Sequence, residues 1–216
     1  MRWLWVTSVA LAVGVAAILA ASSSPQPSQG LLVAAPAMSA SRAAHTATAV
    51  ADGRVRRGNL TLLASAEIYD SAAGVFSRTG DMLVRRHKHD GVLLRDGQVL
   101  VTGGSDEQDD RGQYHSSELF DPKTARFESG PAMRLTRYKH AGSSVLLPSG
   151  LVLVAGGAPQ AEVFDPGNRT FTLVPGEPRM AGQFSAVALL ETGGALITGG
   201  YGNGGGPRSS TWLYRP

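Results

Sequence analysis

The segment DGQVLVTGG at residues 96–104 is written again as SGLVLVAGG at 149–157 and as TGGALITGG at 192–200. A turn, a short apolar strand and a glycine pair, repeated within one chain, restrict it to architectures that stack copies of one small unit. Other stretches recur in the same order. An aromatic strand is seen as SAEIYD (65–70), SSELFDP (116–122), QAEVFDP (160–166) and STWLYRP (210–216). Each of the first three is followed by a run ending in methionine, and a further run ends at Met38, so that Met38, Met82, Met133 and Met180 stand 44, 51 and 47 residues apart. An Arg-x-x-His pattern precedes three of the copies, at Arg42/His45, Arg86/His89 and Arg137/His140. A unit of this size holds four short strands, a to d.

One unit reads as follows. Strand a is GVLL (91–94), closed by the turn RDGQ, in which Gly97 takes positive φ cheaply. Strand b is QVLVT, a nearly continuous apolar run, as expected when neighbouring sheets cover both of its faces. Gly103 and Gly104 end it and let backbones approach where units converge, as do Gly156 with Gly157 and Gly199 with Gly200 in the other copies. Strand c is SELFD, alternating in and out, and Asp-Pro stops it because proline cannot extend the ladder. Its aromatic position is Tyr69, Phe120, Phe164 and Tyr214 in turn. Strand d is ARFES, with Phe127 as its buried ring.

The order R-x-x-H, DG-x-VLV-x-GG, AE-hydrophobic-aromatic-DP, F, M resembles the Kelch repeat, more narrowly the Kelch propellers of the galactose-oxidase-like group in exported bacterial proteins. The resemblance covers residues 38–216. It implies an all-β, Kelch-type β-propeller of about four four-stranded blades, either a closed four-bladed ring or an open arc of a larger propeller. The copies are uneven. The first lacks an LVTGG, so its strand b is missing or replaced by NLTLL (59–63). The last stops after strand c. GLLVAAPAM at 30–38 aligns with ARFESGPAM, which makes residues 31–35 the expected closing strand d. An open arc would leave strand edges exposed, with self-association as the hazard.

Ahead of the repeats the chain changes character. MRW carries one positive charge, residues 4–20 are apolar but for Thr7 and Ser8, and AASSSPQPSQG follows. This is the layout of a secretory signal peptide or, if uncleaved, an N-terminal membrane anchor. The expected divisions are residues 1–21 for that segment, 22–30 for a linker and 31–216 for the propeller. The expected location is secreted, periplasmic or cell-surface, with the membrane touched only through the N-terminal segment. A net charge of +3, with basic and acidic residues interleaved, argues against nucleic acid. There is no cysteine, which removes disulfides, thiolate metal sites, thiol nucleophiles and a lipid-modified cysteine.

The resembled group includes a copper radical oxidase, whose chemistry needs a cysteine cross-linked to a tyrosine, so that chemistry is ruled out here. The five histidines are His45, His87, His89, His115 and His140. Those in Arg-x-x-His have two readings: a packing role repeated once per blade, or a ligand-binding ring at a channel mouth. In the fourth copy Gln183 takes the place of the histidine, which argues against a metal ring. The basic run RRHKH (85–89) joins Arg42, Arg134, Arg137, Lys139 and Arg179 in the connections from strand d to the next strand a. These share a face with the b–c loops, one of which, SDEQDDRGQYH (105–115), is acidic. Opposite charges there form either a solvated rim or a positive mouth for an anionic glycan or acidic partner. The candidate ligand-binding residues are Arg85, Arg86, His87, His89, Arg134, Arg137, Lys139, His140, Tyr114, His115 and Tyr201. Asp106, Glu107, Asp109 and Asp110 carry oxygens for calcium but lack the alternating spacing of a calcium loop. The glycine run at 200–207 has no Gly-Lys-Ser/Thr after it and is not a phosphate loop. Asn59 and Asn168 match the glycosylation pattern, relevant only in a eukaryotic secretory route.

With no catalytic constellation and no cofactor implied, the function expected is a non-catalytic exported binding module. It presents loops on one face to a protein or carbohydrate. The alternatives are a sugar-active enzyme related to Kelch-type oxidases or epimerases, which rests on fold analogy, and a degenerate propeller fragment.

Overall fold

The structure, a computed structural model, describes residues 34, 36–39, 48–49, 55–56, 63–176, 182–202 and 206–216. The chain divides into residues 1–35 and 36–216, and the strands all belong to the second unit. Among the described residues there is no helix. The strands form four antiparallel meanders, each in sequence order. The first holds β1 (Thr48–Ala49), β2 (Val55–Arg56), β3 (Glu67–Asp70) and β4 (Val75–Arg78). The second holds β5 (Asp90–Leu93), β6 (Val99–Thr102), β7 (Ser117–Asp121) and β8 (Arg126–Ser129). The third holds β9 (Ser144–Leu146), β10 (Val152–Val154), β11 (Glu162–Asp165) and β12 (Thr170–Leu173). The last has three described strands, β13 (Ala186–Leu189), β14 (Ala195–Thr198) and β15 (Thr211–Tyr214).

Burial explains the apolar runs. Every residue of β6 and β10 is buried, as two-sided coverage requires. Three separate cores fill the spaces between consecutive sheets. Ile68 and Met82 meet Val99, Val101 and Phe120 between the first and second. Leu100, Leu119 and Met133 meet Val152, Val154, Phe164 and Phe171 between the second and third. Leu153, Ala155 and Ala161 meet Ala195 and Ile197 between the third and fourth. The innermost strands lie side by side in the same order, β1 by β5, β5 by β9 and β9 by β13. Among the described residues no fourth core joins the last sheet to the first. The expected closing strand at 31–35 lies outside the described residues, Ala34 apart.

Strand c carries the strongest local signal. Its aromatic faces the ring directly opposite on strand d: Tyr69 on Phe76, Phe120 on Phe127 and Phe164 on Phe171, with centroids 4.8–4.9 Å apart. Such a pair contributes about 0.5–1.5 kcal/mol beyond its buried area. Phe127 is only half-buried, contrary to expectation, whereas Phe171 at the corresponding place on β12 is buried. The aspartate that follows does more than precede a proline. Its carboxylate caps the c–d turn, Asp70 accepting from the Ala72 and Ala73 N–H groups and Asp165 from Gly167 and Asn168.

The first sheet corrects the sequence reading. Its second strand is neither missing nor NLTLL. It is β2, which pairs with β1 through Thr48↔Arg56 and with β3 through Val55↔Tyr69. In sequence it follows ADGR (51–54) as strand b follows RDGQ in the second copy. The glycine pair was the misleading marker, since the first copy has the hairpin without it.

Candidate functional site

Among the described residues, the Arg-x-x-His arginines Arg86 and Arg137 are buried staples. Arg86 is fully buried, donating Nη1 to the Gly103 carbonyl at 2.5 Å and Nη2 to Glu118 Oε1 at 2.7 Å. The same Glu118 accepts the backbone N–H of Leu83 (2.7 Å) and Val84 (3.1 Å). Arg137 repeats this, reaching the Gly156 carbonyl at 2.8 Å, the Gln160 carbonyl and Glu162 Oε1 at 3.1 Å, while Glu162 also accepts from Arg134 and Leu135 N–H. In the first sheet Glu67 accepts from the Ser39 N–H and hydroxyl, and its counterpart Arg42 lies outside the described residues. These glutamates come from strand c of the first three copies, the residue before Ile68, Leu119 and Val163. A buried carboxylate is tolerable at Glu118 and Glu162 because both oxygens of each accept hydrogen bonds.

The fourth copy loses both partners together. Gly157 N–H donates to the Gly182 carbonyl just as Gly104 N–H donates to that of Arg137, so Gly182 stands where arginine would. On β15 Trp212, directly before the Leu213–Tyr214 pair, stands where glutamate would. This also corrects the alignment of the fourth copy. The place of the histidine is taken by Ser185 and not Gln183, and the Ser185 hydroxyl donates to the Gly199 carbonyl at 3.2 Å.

The histidines divide in the same way. His140 is fully buried, its Nε2 3.0 Å from Thr102 Oγ1 on the neighbouring sheet. Burial, then the charges of Arg137 and Arg86, push its pKa down to about 3, so it is neutral over the physiological range. His89 is buried as well, with its Cβ against Gly104. A Cβ on Gly104 would lie 2.6 Å from the His87 carbonyl oxygen and one on Gly157 2.6 Å from that of Tyr138, at φ of +93° and +76°. The second glycine of the pair therefore exists to admit the Arg-x-x-His backbone. Four residues read as ligand contacts, Arg86, His89, Arg137 and His140, are thus enclosed and engaged with the protein itself, because the connection that carries them turns inward under the glycine pair.

What remains on the surface comes from the residues between the arginine and the histidine. Lys88, Lys139 and Phe184 occupy corresponding places, all left-handed, with φ of 55°, 54° and 58°. Their backbones are chained: Lys139 N–H donates to the Lys88 carbonyl at 2.9 Å and Phe184 N–H to the Lys139 carbonyl at 2.6 Å. Successive copies thereby bring three side chains to one place. The b–c loops join the same face through the bridges His87↔Ser105, Tyr114↔Arg137 and Gln183↔Tyr201. Asp109 lies among the cations, its Oδ1 2.5 Å from Lys88 Nζ and 3.6 Å from His87 Nε2, its Oδ2 3.8 Å from Lys139 Nζ. Burial raises the Asp109 pKa, but the hydrogen bond and charge of Lys88, with Lys139, outweigh it and hold the carboxyl below its usual range. Burial and the adjacent Lys88 lower His87, against the pull of Asp109.

Lys139 also sits 4.7 Å from the Tyr138 ring centroid, and Gln183 Nε2 donates to the Tyr138 hydroxyl at 2.8 Å. Beside them Phe184 and Tyr201, 54% and 46% exposed, meet edge to face at 6.1 Å. Tyr114 lies half-buried beneath the Arg86 guanidinium, 5.5 Å from its ring. Arg85, Arg134 and His115 are exposed. Of the calcium candidates, Asp109 is committed to Lys88 and Asp106 caps Gln108 N–H and lies against Gly112. Among the described residues no group of three His, Cys, Asp or Glu side chains is placed to hold a metal.

Meandering antiparallel sheets with cores between them give an all-β fold of the Kelch-like propeller type. The solved structure of YjhT superposes with a TM-score of 0.69 at 13% identity, covering 83% of this chain and 64% of that one. A copper-bound fungal alcohol oxidase of the AA5 family, described as catalytically diverse, gives 0.58 at 16% identity, over 79% of this chain and 41% of that one. The chain therefore spans less than two thirds of the length of either structure. No family model and no curated protein matches it.

Proposed function

We propose that the protein is a non-catalytic, exported binding module that presents one face of a Kelch-like fold to a protein or carbohydrate ligand. The observation that carries this reading is the convergence of chemistry on that face. Phe184 and Tyr201 expose two aromatic rings beside Tyr138, Gln183 and Lys139. Exposed rings flanked by hydrogen-bonding groups suit a ligand that buries apolar surface and keeps polar contacts at its rim. The repeated arginine and histidine, which a catalytic reading would recruit first, are occupied in holding the sheets together.

The test is a panel of immobilised glycans and extracellular proteins probed with wild type and with Phe184→Ala/Tyr201→Ala. Both rings are exposed, so the variant is expected to melt within a few degrees of wild type and to bind at least tenfold more weakly whatever the wild type retains. Equal binding by the two would move the ligand site off this face. Export has its own check. Residues 1–30 fused to a phosphatase that folds only outside the cytoplasm are expected to confer activity on cells, and an inactive fusion would sink that part of the reading.

A further inference from the structure

The charge cluster around Asp109 is more elaborate than a surface ion pair requires. The repeat geometry demands left-handed backbone at residues 88, 139 and 184, but it does not demand charge, since Phe184 fills the same role. Left-handed lysine is itself unfavourable by roughly 1–2 kcal/mol relative to the usual backbone. Lysine at two successive copies, with backbones tied together, therefore sets two ammonium groups at one point, and only that of Lys139 also packs on a ring, Tyr138. The third member is His87. It is 8% exposed, with neither ring nitrogen in a well-formed hydrogen bond, although the Asp106 backbone and the Asp109 carboxylate both favour a proton on it. Its Nε2 faces Asp109 Oδ1 at 3.6 Å, outside hydrogen-bond range. A buried imidazole left unsatisfied costs free energy and marks a place made for something else.

Asp109 itself arrives on a strained tip. It is left-handed at φ 56°, in a loop held by local turns: its N–H donates to the Asp106 carbonyl at 3.1 Å, and the Gly112 N–H donates to its own carbonyl at 3.3 Å. Its side chain is 38% exposed. The loop thus presents an aspartate on a peptide turn to a cradle of two lysines and a histidine.

We propose that Lys88, Lys139 and His87 form a recognition site for the carboxylate of an acidic peptide turn on a partner protein, with Asp109 occupying it in cis until the partner displaces the loop at 105–115. This rests on the reading of this face as a binding surface and narrows it to a protein ligand. The cis occupant shows the chemistry accepted: a peptide aspartate in a turn rich in acids, opposite a net positive cradle. A tethered carboxylate competes at millimolar effective concentration. A site closed nine parts in ten binds external ligand about tenfold more weakly than an open one.

The experiment is calorimetric titration of the full chain with the synthetic peptide SDEQDDRGQYH, the sequence of residues 105–115. Asp109→Asn is expected to bind it at least tenfold more tightly than wild type, more weakly as salt rises, and Asp109→Asn/Lys139→Ala to lose that gain. Thermal melts of each variant confirm that it is folded. Equal affinities for wild type and Asp109→Asn, or no binding by either, would overturn the proposal. So would acetate displacing the peptide at equal carboxylate concentration, which would make this a small-anion site. The same titration on Phe184→Ala/Tyr201→Ala separates the two readings. Loss of panel binding there with no peptide binding anywhere leaves the binding module standing and removes only the carboxylate cradle.

Discussion

Glu162→Ala is expected to destabilise the protein by about 3–5 kcal/mol, the range for breaking a buried charge pair from one side. Glu162 is fully buried and collects three donors, the Arg134 N–H at 2.7 Å, the Leu135 N–H at 3.1 Å and Arg137 Nη2 at 3.1 Å. Alanine orphans two backbone groups and leaves a guanidinium with no accessible surface beside two carbonyls only. The effect on the melting temperature is on the order of 10 °C for a domain of this size. Glu162→Gln is expected to cost less, since its amide oxygen still accepts one or two of the donors. Arg137→Met/Glu162→Ala is expected to recover part of the loss by removing both charges, but not all, because the two N–H groups at 134 and 135 stay unpaired. Denaturant titrations of the three variants check the order. If the single and double variants were equally destabilised, the pairing of Arg137 with Glu162 would contribute nothing beyond its hydrogen bonds.

That staple was written in the chain, although not in the pattern the eye follows first. Strand positions came from apolar runs and the Asp-Gly and Asp-Pro turns, and β7 occupies the very residues, Ser117 to Asp121, that the pattern marks. Arg-x-x-His was visible as a repeat, and its glutamate partner was visible as the Glu of strand c. The link between them was not, because 25 and 32 residues separate Arg137 from Glu162 and Arg86 from Glu118. The joint loss in the fourth copy, Gly182 with Trp212, was a readable sign of the pairing. It was obscured by placing Gln183 in the histidine's position. The hydrogen bond from Gly157 to Gly182 and the left-handed backbone of Phe184, matching Lys88 and Lys139, set the register, and φ cannot be read from residue type when lysine and phenylalanine adopt a conformation they normally avoid. The surface site was hidden for a related reason. Arginines in a basic run look like the exposed members, yet here Arg86 is buried and the left-handed backbone at Lys88 turns that side chain outward.

The second large effect is a loss of stability in acid that traces to one side chain. His140 has a folded-state pKa of about 3, lowered from the usual 6.5 by burial, Arg137 and Arg86. A lowered folded pKa means that the unfolded chain takes up the proton first. The stabilisation from keeping His140 neutral is therefore complete above pH 6.5 and is lost as pH falls from there toward 3. The slope is about 1.4 kcal/mol per pH unit for one proton, and the whole span amounts to about 5 kcal/mol. Other groups contribute to the same curve. His87 is lowered as well and adds in the same direction. Asp90 is raised by burial, against hydrogen bonds from Gly142, Ser144 and Gly91 that lower it. A raised carboxyl contributes stability in acid that fades as pH rises, so it opposes the histidines. The clean quantity is the difference between wild type and His140→Gln, which stays neutral and keeps a hydrogen-bonding group for Thr102. That difference is expected to be constant above pH 6.5 and to shrink steadily below it, until the variant is the more stable protein near pH 4. Urea titrations at half-unit steps measure it, and the His140 ring proton followed by NMR should show no titration while the fold persists. A difference that stays flat down to pH 4 would mean that the imidazole exchanges protons in the folded state, and that the contact with Thr102 opens more readily than its burial between two arginines implies.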